Sequence, residues 1–256
     1  MFIIIRYTIL NEPNCEIQSL PLSIRSLRAF DVLSLDSNPN LNLTGDAFVG
    51  IQSLVQIYIR NQNFDTFPDI FHDALTVRDV DMSGTPITRF DASLIPENNK
   101  LRTISLSDTL LTEIPSAIVK MKQLQNLIIR NSSITSVSRS DFKGLRKLNF
   151  IAIQDAPLTS FSDDALNDTR SLQSLLLSNT NLTTIPRAII GHSRINQLDM
   201  GDNPLVCTCS TLGWMKRWEH HSFLVLTGDC ANLHNVTLNT YYSENVPKCP
   251  EESIIS

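Results

Sequence analysis

Positive charge is in short supply in this chain of 256 residues, where 21 Lys and Arg stand against 26 Asp and Glu for a net charge of -5. A protein that grips phosphates needs the opposite balance, so no nucleic-acid partner is expected. No apolar run approaches the roughly 18 residues of a membrane-crossing helix, so the chain carries no membrane span. Catalytic signatures are missing as well: there is no glycine-rich phosphate loop, no Gly-x-Ser-x-Gly elbow and no His-Glu-x-x-His. His72, His192 and His234 are scattered, and the adjacent His220 and His221 read as a solvated helix end rather than metal ligands. We therefore expect neither an enzyme nor a bound metal or cofactor. What is present in quantity is apolar residue, 42% of the chain, enough to bury a real core.

Those apolar residues recur in phase. From Tyr7 onward the pattern Leu-x-x-Leu-x-Leu-x-x-Asn-x-Leu, with conservative replacements, returns every 23 or 24 residues as far as Leu205. Leu172, Leu175, Leu177, Thr180 and Leu182 form one unit; Leu148, Ile151, Ile153, Ala156 and Leu158 form another. First apolar positions fall at Tyr7, Phe30, Leu54, Val77, Leu101, Leu124, Leu148, Leu172 and Ile195, about nine units. Each unit offers a short strand whose alternate residues point inward, and no unit buries that face alone. The reading is an α/β solenoid, a leucine-rich repeat horseshoe with a concave parallel sheet. We divide it into a partial repeat over 1–29, repeats over 30–205, a cap over 206–250 and a tail over 251–256.

Two features modulate the pattern. The asparagine position reads Cys15, Asn38, Gln62, Thr85, Thr109, Ser132, Ala156, Thr180 and Asn203, so the turn near Ala156 is expected to be the least well hydrogen-bonded. Among the return segments, four carry an apolar-proline step at Pro21, Pro68, Pro115 and Pro186, and most others carry an acidic residue before an apolar one, as at Asp46, Asp91, Asp141 and Asp164. An acid there suits the N-cap of one helical turn, while proline holds the backbone extended. The convex side should consist of short turns and 3₁₀ pieces.

After Ile195 the chain runs through Asn203-Pro204-Leu205-Val206-Cys207-Thr208-Cys209, then Trp214 and Trp218, then Cys230 and Cys249. By spacing alone the four cysteines could form disulfides or hold zinc. The motif resembles the cysteine-rich C-terminal flanking cap of extracellular leucine-rich repeat proteins, the Toll-like, Slit-like and neuronal adhesion ectodomains. That resemblance implies disulfides Cys207–Cys230 and Cys209–Cys249, with the tryptophans closing the end of the core. The family's proline after the third cysteine is replaced here by Ala231-Asn232-Leu233-His234, so the last loop should differ. Cys15 reads either as a small buried thiol or as the remnant of an N-terminal cap. The start, Met1-Phe2-Ile3-Ile4-Ile5-Arg6, does not resemble a signal peptide, so a natural leader and cap are expected to be missing. Sequons at Asn42, Asn131, Asn167, Asn181 and Asn235 permit glycosylation, although composition alone gives about that many.

Function then rests on the outward strand positions. These are mostly polar, but Ile128, Ala152 and Leu176 share one position in successive units with Phe150 beside them, an expected exposed apolar patch. The alternative is that these side chains are shielded by neighbours or glycans, or merely favour strand. Tyr58, Arg60 and Arg130 are expected to contribute to the same surface, with Asp36, Asp79 and Asp81 as an acidic flank that disfavours polyanions; a calcium site at Asp79 and Asp81 is the minor reading. The expected function is an extracellular protein-binding module, secreted or part of an ectodomain, without chemistry of its own. A non-catalytic co-subunit of a secreted enzyme and a matrix structural protein are the alternatives.

Overall fold

The computed structural model describes residues 9–11, 13, 15–20, 24, 31–43, 46–51, 53–71, 74–219 and 224–251. Tyr7, Pro21, Phe30, His72, His220, His221 and the tail beyond Glu251 lie outside them. The chain forms two compact units, Met1–Ile129 and Arg130–Ser256.

In the first unit six short strands pair in parallel and in chain order: β1 (Ile9–Asn11), β2 (Val32–Ser34), β3 (Gln56–Tyr58), β4 (Asp79–Asp81), β5 (Thr103–Ser105) and β6 (Asn126–Arg130). The period-two alternation places Leu33, Ile57, Val80, Ile104 and Leu127 in one buried row, followed by Leu35, Ile59, Met82, Leu106 and Ile129 in the next. In the second unit β8 (Phe150–Gln154), β10 (Ser174–Leu176) and β11 (Gln197–Asp199) continue the same alternation, with Ile151, Leu175 and Leu198 aligned and buried. Each such side chain withdrawn from water contributes about 1.5–3 kcal/mol.

The strands stop where the backbone turns left-handed. Ser37, Asn61, Asp108, Asn131, Asp155, Asn179 and Asp202 all have φ between 48° and 57°, and Gly84 occupies the same place at 74°. Asn, Asp and Gly tolerate this region best, which explains the residue types immediately before the asparagine position.

The asparagine position itself is buried. Asn203 Nδ2 donates to the carbonyls of Leu177, Met200 and Gly201, while its Oδ1 accepts from Leu182 N–H and Thr180 Oγ. Asn38 does the same work with Leu35 and Asp36 carbonyls and with the N–H groups of Cys15 and Ile17. Thr85, Thr109 and Thr180 each satisfy one carbonyl, at Ile59, Leu106 and Leu177. Gln62 donates its amide to the Leu35 and Arg60 carbonyls but leaves its buried Oε1 without a partner, and the weakest place is Ser132, whose buried Oγ has no hydrogen-bond partner. Its counterpart one repeat on, equivalent to Asn203 for Thr180, is the methyl group of Ala156. The deficit expected at Ala156 thus falls on its neighbour, because Ala156 N–H itself donates to Asn179 O at 3.2 Å.

The return segments correct one expectation. The steps at Pro115 and Pro186 do hold extended backbone, with ψ of 131° and 125°, but each of these two is followed by a 3₁₀ turn, Ser116–Lys120 and Arg187–Ile189. Proline lacks an N–H that the start of a helical turn would leave unpaired, so it suits the entry. Of the acidic segments Asp91 caps a 3₁₀ turn, Ala92–Leu94, accepting from Ser93 N–H at 2.8 Å. Asp141 and Asp164 instead accept from Ser138 and Ser162 in turns that flank a small second ladder, β7 (Ser136–Val137) with β9 (Ser160–Phe161).

The cap begins with α1 (Cys209–Leu212), closed at its start by a Thr208–Thr211 capping box, and continues as a 3₁₀ turn, Gly213–Arg217, that buries Trp214; Trp218 follows, also buried. It holds Cys207–Cys230 and Cys209–Cys249 disulfides with Cα separations of 5.5 and 5.3 Å, the pairing the resemblance implies. Where the family's proline is missing, the Asn232 amide clasps the backbone of Cys207 at both N–H and C=O. The cap also adds a strand that the repeat pattern does not announce: β12 (Val225–Thr227) pairs in parallel with β11 and buries Leu226. A helix, α2 (Leu238–Glu244), capped by Thr237, and a last 3₁₀ turn, Val246–Lys248, complete it. Of the two readings of Cys15 the buried thiol is corrected: it is exposed, donating to Pro13 O.

Two outcomes are expected. Ala156→Asn should raise the melting temperature by roughly 2–4 °C, the effect of about 1 kcal/mol from a regained buried hydrogen bond, as read by thermal denaturation. Non-reducing peptide mapping should recover 207–230 and 209–249 linked peptides, and reduction should cost about 3–4 kcal/mol per bridge for loops of this length.

Candidate functional interface

The face of the strands opposite the core is built from the residues between the buried rows. In the first unit one row reads Ser34, Tyr58, Asp81, Ser105 and Ile128; in the second it reads Ala152, Leu176, Asp199 and Thr227. A parallel row one step earlier reads Val32, Gln56, Asp79, Thr103 and Asn126 in the first unit, then Phe150, Ser174, Gln197 and Val225 in the second.

The first unit uses this face for a polar network. Arg60 places Nη2 at 2.6 Å and Nε at 3.0 Å from Asp36 Oδ2, and its own N–H donates to Oδ1 at 2.8 Å. The same guanidinium lies 5.3 Å from the centre of the Tyr58 ring and 4.0 Å from Asp81. Burial pushes the Asp36 carboxyl upward, but the hydrogen bonds and charge of Arg60 outweigh it and hold the carboxyl below the usual range. Asp36, read as part of an open acidic flank, is therefore buried and neutralised. Its place two residues beyond the strand's outward row, beneath the longer Arg60, is the reason. Asp81 accepts from Ser83 N–H and Oγ, and Ser83 is linked to Ser105 at 2.9 Å; Asp79 accepts from Gln56. Both carboxylates thus have protein donors, and no group of three or more metal-ligating side chains occurs among the described residues.

In the second unit the expected apolar patch is only partly open. Phe150 is half-buried, as is Ile128 on the first unit's β6, whereas Ala152 is fully covered and Leu176 is 8% exposed. The single methyl carbon of Ala152 lies below the longer side chains on its own face, Phe150 and Gln154, and it pairs with Leu176. The exposed patch is accordingly corrected at these two positions. Below them, Gln154 Nε2 donates to Ser178 Oγ, and Asp199 accepts from Thr227 and Gly201 N–H. Burial raises the Asp199 carboxyl, but hydrogen bonds from Thr227, Gly201 and Ser178 bring it net below its ordinary value. Arg130, at the end of β6, is exposed. Asn42, Asn131, Asn167, Asn181 and Asn235 are all exposed.

The Asp36–Arg60 pair makes a pH-dependent prediction. A carboxyl held below its unfolded value, about 3.9, contributes stability above that pH and loses it as pH falls through the folded value. Asp36→Asn should cost roughly 1–2 kcal/mol at pH 7, given that Arg60 is 47% exposed at its side chain. The difference from wild type should close in melting curves taken below pH 4.

Similarity to known proteins follows the same lines. Family models described as leucine rich repeat match residues 99–155 and 171–192. No curated protein sequence matches the chain. Solved structures of similar fold include Toll in its complex with Spatzle from Drosophila, with 16% identity and a TM-score of 0.63 over 86% of this chain and 38% of that one. TLR13 in complex with ssRNA13 aligns at 16% identity and a TM-score of 0.59, over 72% and 30% of the two chains. A leucine-rich repeat protein of Leptospira interrogans aligns at 14% identity and a TM-score of 0.57, over 86% and 67%. The chain thus spans about a third of the length of TLR13 and of Toll. Repeat matches, strand register and the bridged cap give this chain the leucine-rich repeat fold.

Proposed function

We propose that the chain is a non-enzymatic protein-binding module of the extracellular or lumenal space, holding a folded protein on the open face of its strands. The observation that carries this reading is the placement of Ile128 on the first unit's last strand, and of Phe150 in the second, half-buried at outward positions where the fold asks for no core residue. Half-buried aromatic and aliphatic side chains ringed by polar neighbours are what protein interfaces use as anchors. In the first unit Tyr58, with the Arg60 guanidinium over its ring, offers an anchor of its own; in the second, Arg130 is an exposed cation, and Ala152 and Leu176 lie covered beside Phe150. Two disulfides suit an oxidising compartment. The complex of Toll with Spatzle supports a protein ligand by analogy of fold. TLR13 holds an RNA, but here Asp79, Asp81 and Asp199 populate the open face and the net charge is -5, which disfavours a polyanion.

Affinity capture from extracellular fluid tests the reading, using the secreted chain beside separate Ile128→Asp and Phe150→Asp variants. The expected result is a protein partner lost or weakened at least tenfold with Phe150→Asp, the scale of a hot-spot change of about 1.4 kcal/mol, while the melting temperature moves little. A partner retained at full affinity by both variants would overturn the assigned face.

A further inference from the structure

The second unit carries a groove of about 400 Å³ on the side where the return segments meet the cap. Its composition is unlike that of an apolar ligand pocket. Half of the twelve lining residues carry hydroxyl groups, with Thr159 and Ser160 from one repeat, Thr183 and Thr184 from the next, and Ser210 and Thr211 from the cap, set among Leu182, Ile185 and Pro186. The Phe161 ring, half-buried, is part of the same lining, and Asp163 and Arg187 stand at the rim, both exposed. An aromatic face for the C–H side of a sugar ring, surrounded by short hydroxyls and one group of each charge for its O–H side, is the chemistry that holds a saccharide.

One source of saccharide is built into the wall. The sequon Asn181-Leu182-Thr183 contributes Leu182 and Thr183 to the lining. Asn181 is exposed, and its backbone is fixed by donation to Leu158 O at 2.9 Å. Thr183 is exposed as well, and its carbonyl accepts from Val206 N–H at 2.8 Å, so the segment lies anchored on both sides. We propose that an N-linked glycan on Asn181 folds back so that its first sugars occupy this groove over Phe161. The inference rests on the extracellular reading above, because the linkage requires export. It forms when Asn181 Nδ2 displaces a lipid-linked diphosphate from the anomeric carbon of a donor saccharide and gives up one proton; the export pathway supplies donor and transferase. The docked glycan covers the junction between the last repeats and the cap, at Ser210 and Thr211.

The test uses the full chain secreted from cells that glycosylate. Site occupancy is read by mass spectrometry at all five sequons, and native-state release by an endoglycosidase is timed at each occupied one. The expected result is that Asn181 is occupied and releases its glycan severalfold more slowly than the other occupied sites, and that Phe161→Leu restores the ordinary rate. Hydrogen exchange supplies a check without mutation: amides of 183–185 and 187 should exchange more slowly before enzymatic release than after it. An occupied Asn181 whose glycan leaves as fast as the rest, with no change in exchange, would overturn the proposal. So would an empty Asn181 beside occupied neighbours, which would leave the export reading standing. No occupied sequon together with four reduced cap cysteines would overturn both.

Discussion

The repeats leave their strands by left-handed turns whose freed carbonyls face an apolar interior, and wherever the asparagine position holds Asn, Gln or Thr its side chain satisfies one or more of them. A buried unpaired carbonyl costs about 1–3 kcal/mol, comparable with the gain from burying one of the leucines beside it. Without that inward hydrogen bonding the repeats could not stack closely enough to align rows such as Leu33, Ile57, Val80, Ile104 and Leu127. Asn203 and Asn38 meet the demand fully, and threonines meet half of it. Ser132 facing Ala156 marks where the system has slack.

The outward face inherits its geometry from that ladder. Since the register of paired strands is fixed by inward leucines, the residues between them are held in rows whatever their chemistry. This freedom is used differently in the two units: an ion pair and a chain of hydroxyls and carboxylates around Arg60 in the first, and a half-buried Phe150 above Ala152 and Leu176 in the second. Binding chemistry can therefore vary along the chain without any change in fold.

The cap solves a different problem, the open end of a row of apolar side chains. Trp214 and Trp218 provide bulk, two disulfides hold the loops that carry them, and β12 satisfies the edge of β11. Covering an edge strand with a short paired strand removes a site of unwanted association.

Strand positions, repeat length and the cap cysteines were legible from the one-dimensional pattern, because periodic burial leaves a periodic trace at Leu54, Val77, Leu101, Leu124, Leu148 and Leu172. The left-handed ladder at Asn61, Gly84, Asp108, Asn131, Asp155, Asn179 and Asp202 lies one residue ahead of the asparagine position and took its meaning only from the backbone angles. Three features had no such trace. Arg60 reaching back to neutralise Asp36 and the pairing of Val225–Thr227 with Gln197–Asp199 join residues from different repeats or from repeat and cap, and the covering of Ala152 depends on how far the longer Phe150 and Gln154 of its own strand extend. Sequence by itself determined which residues go inside, since burial depends on the residue's own polarity and spacing. Only the tertiary structure decided how far each outward side chain remains exposed and which charges are already paired, since those depend on the length and reach of neighbours about 24 residues away.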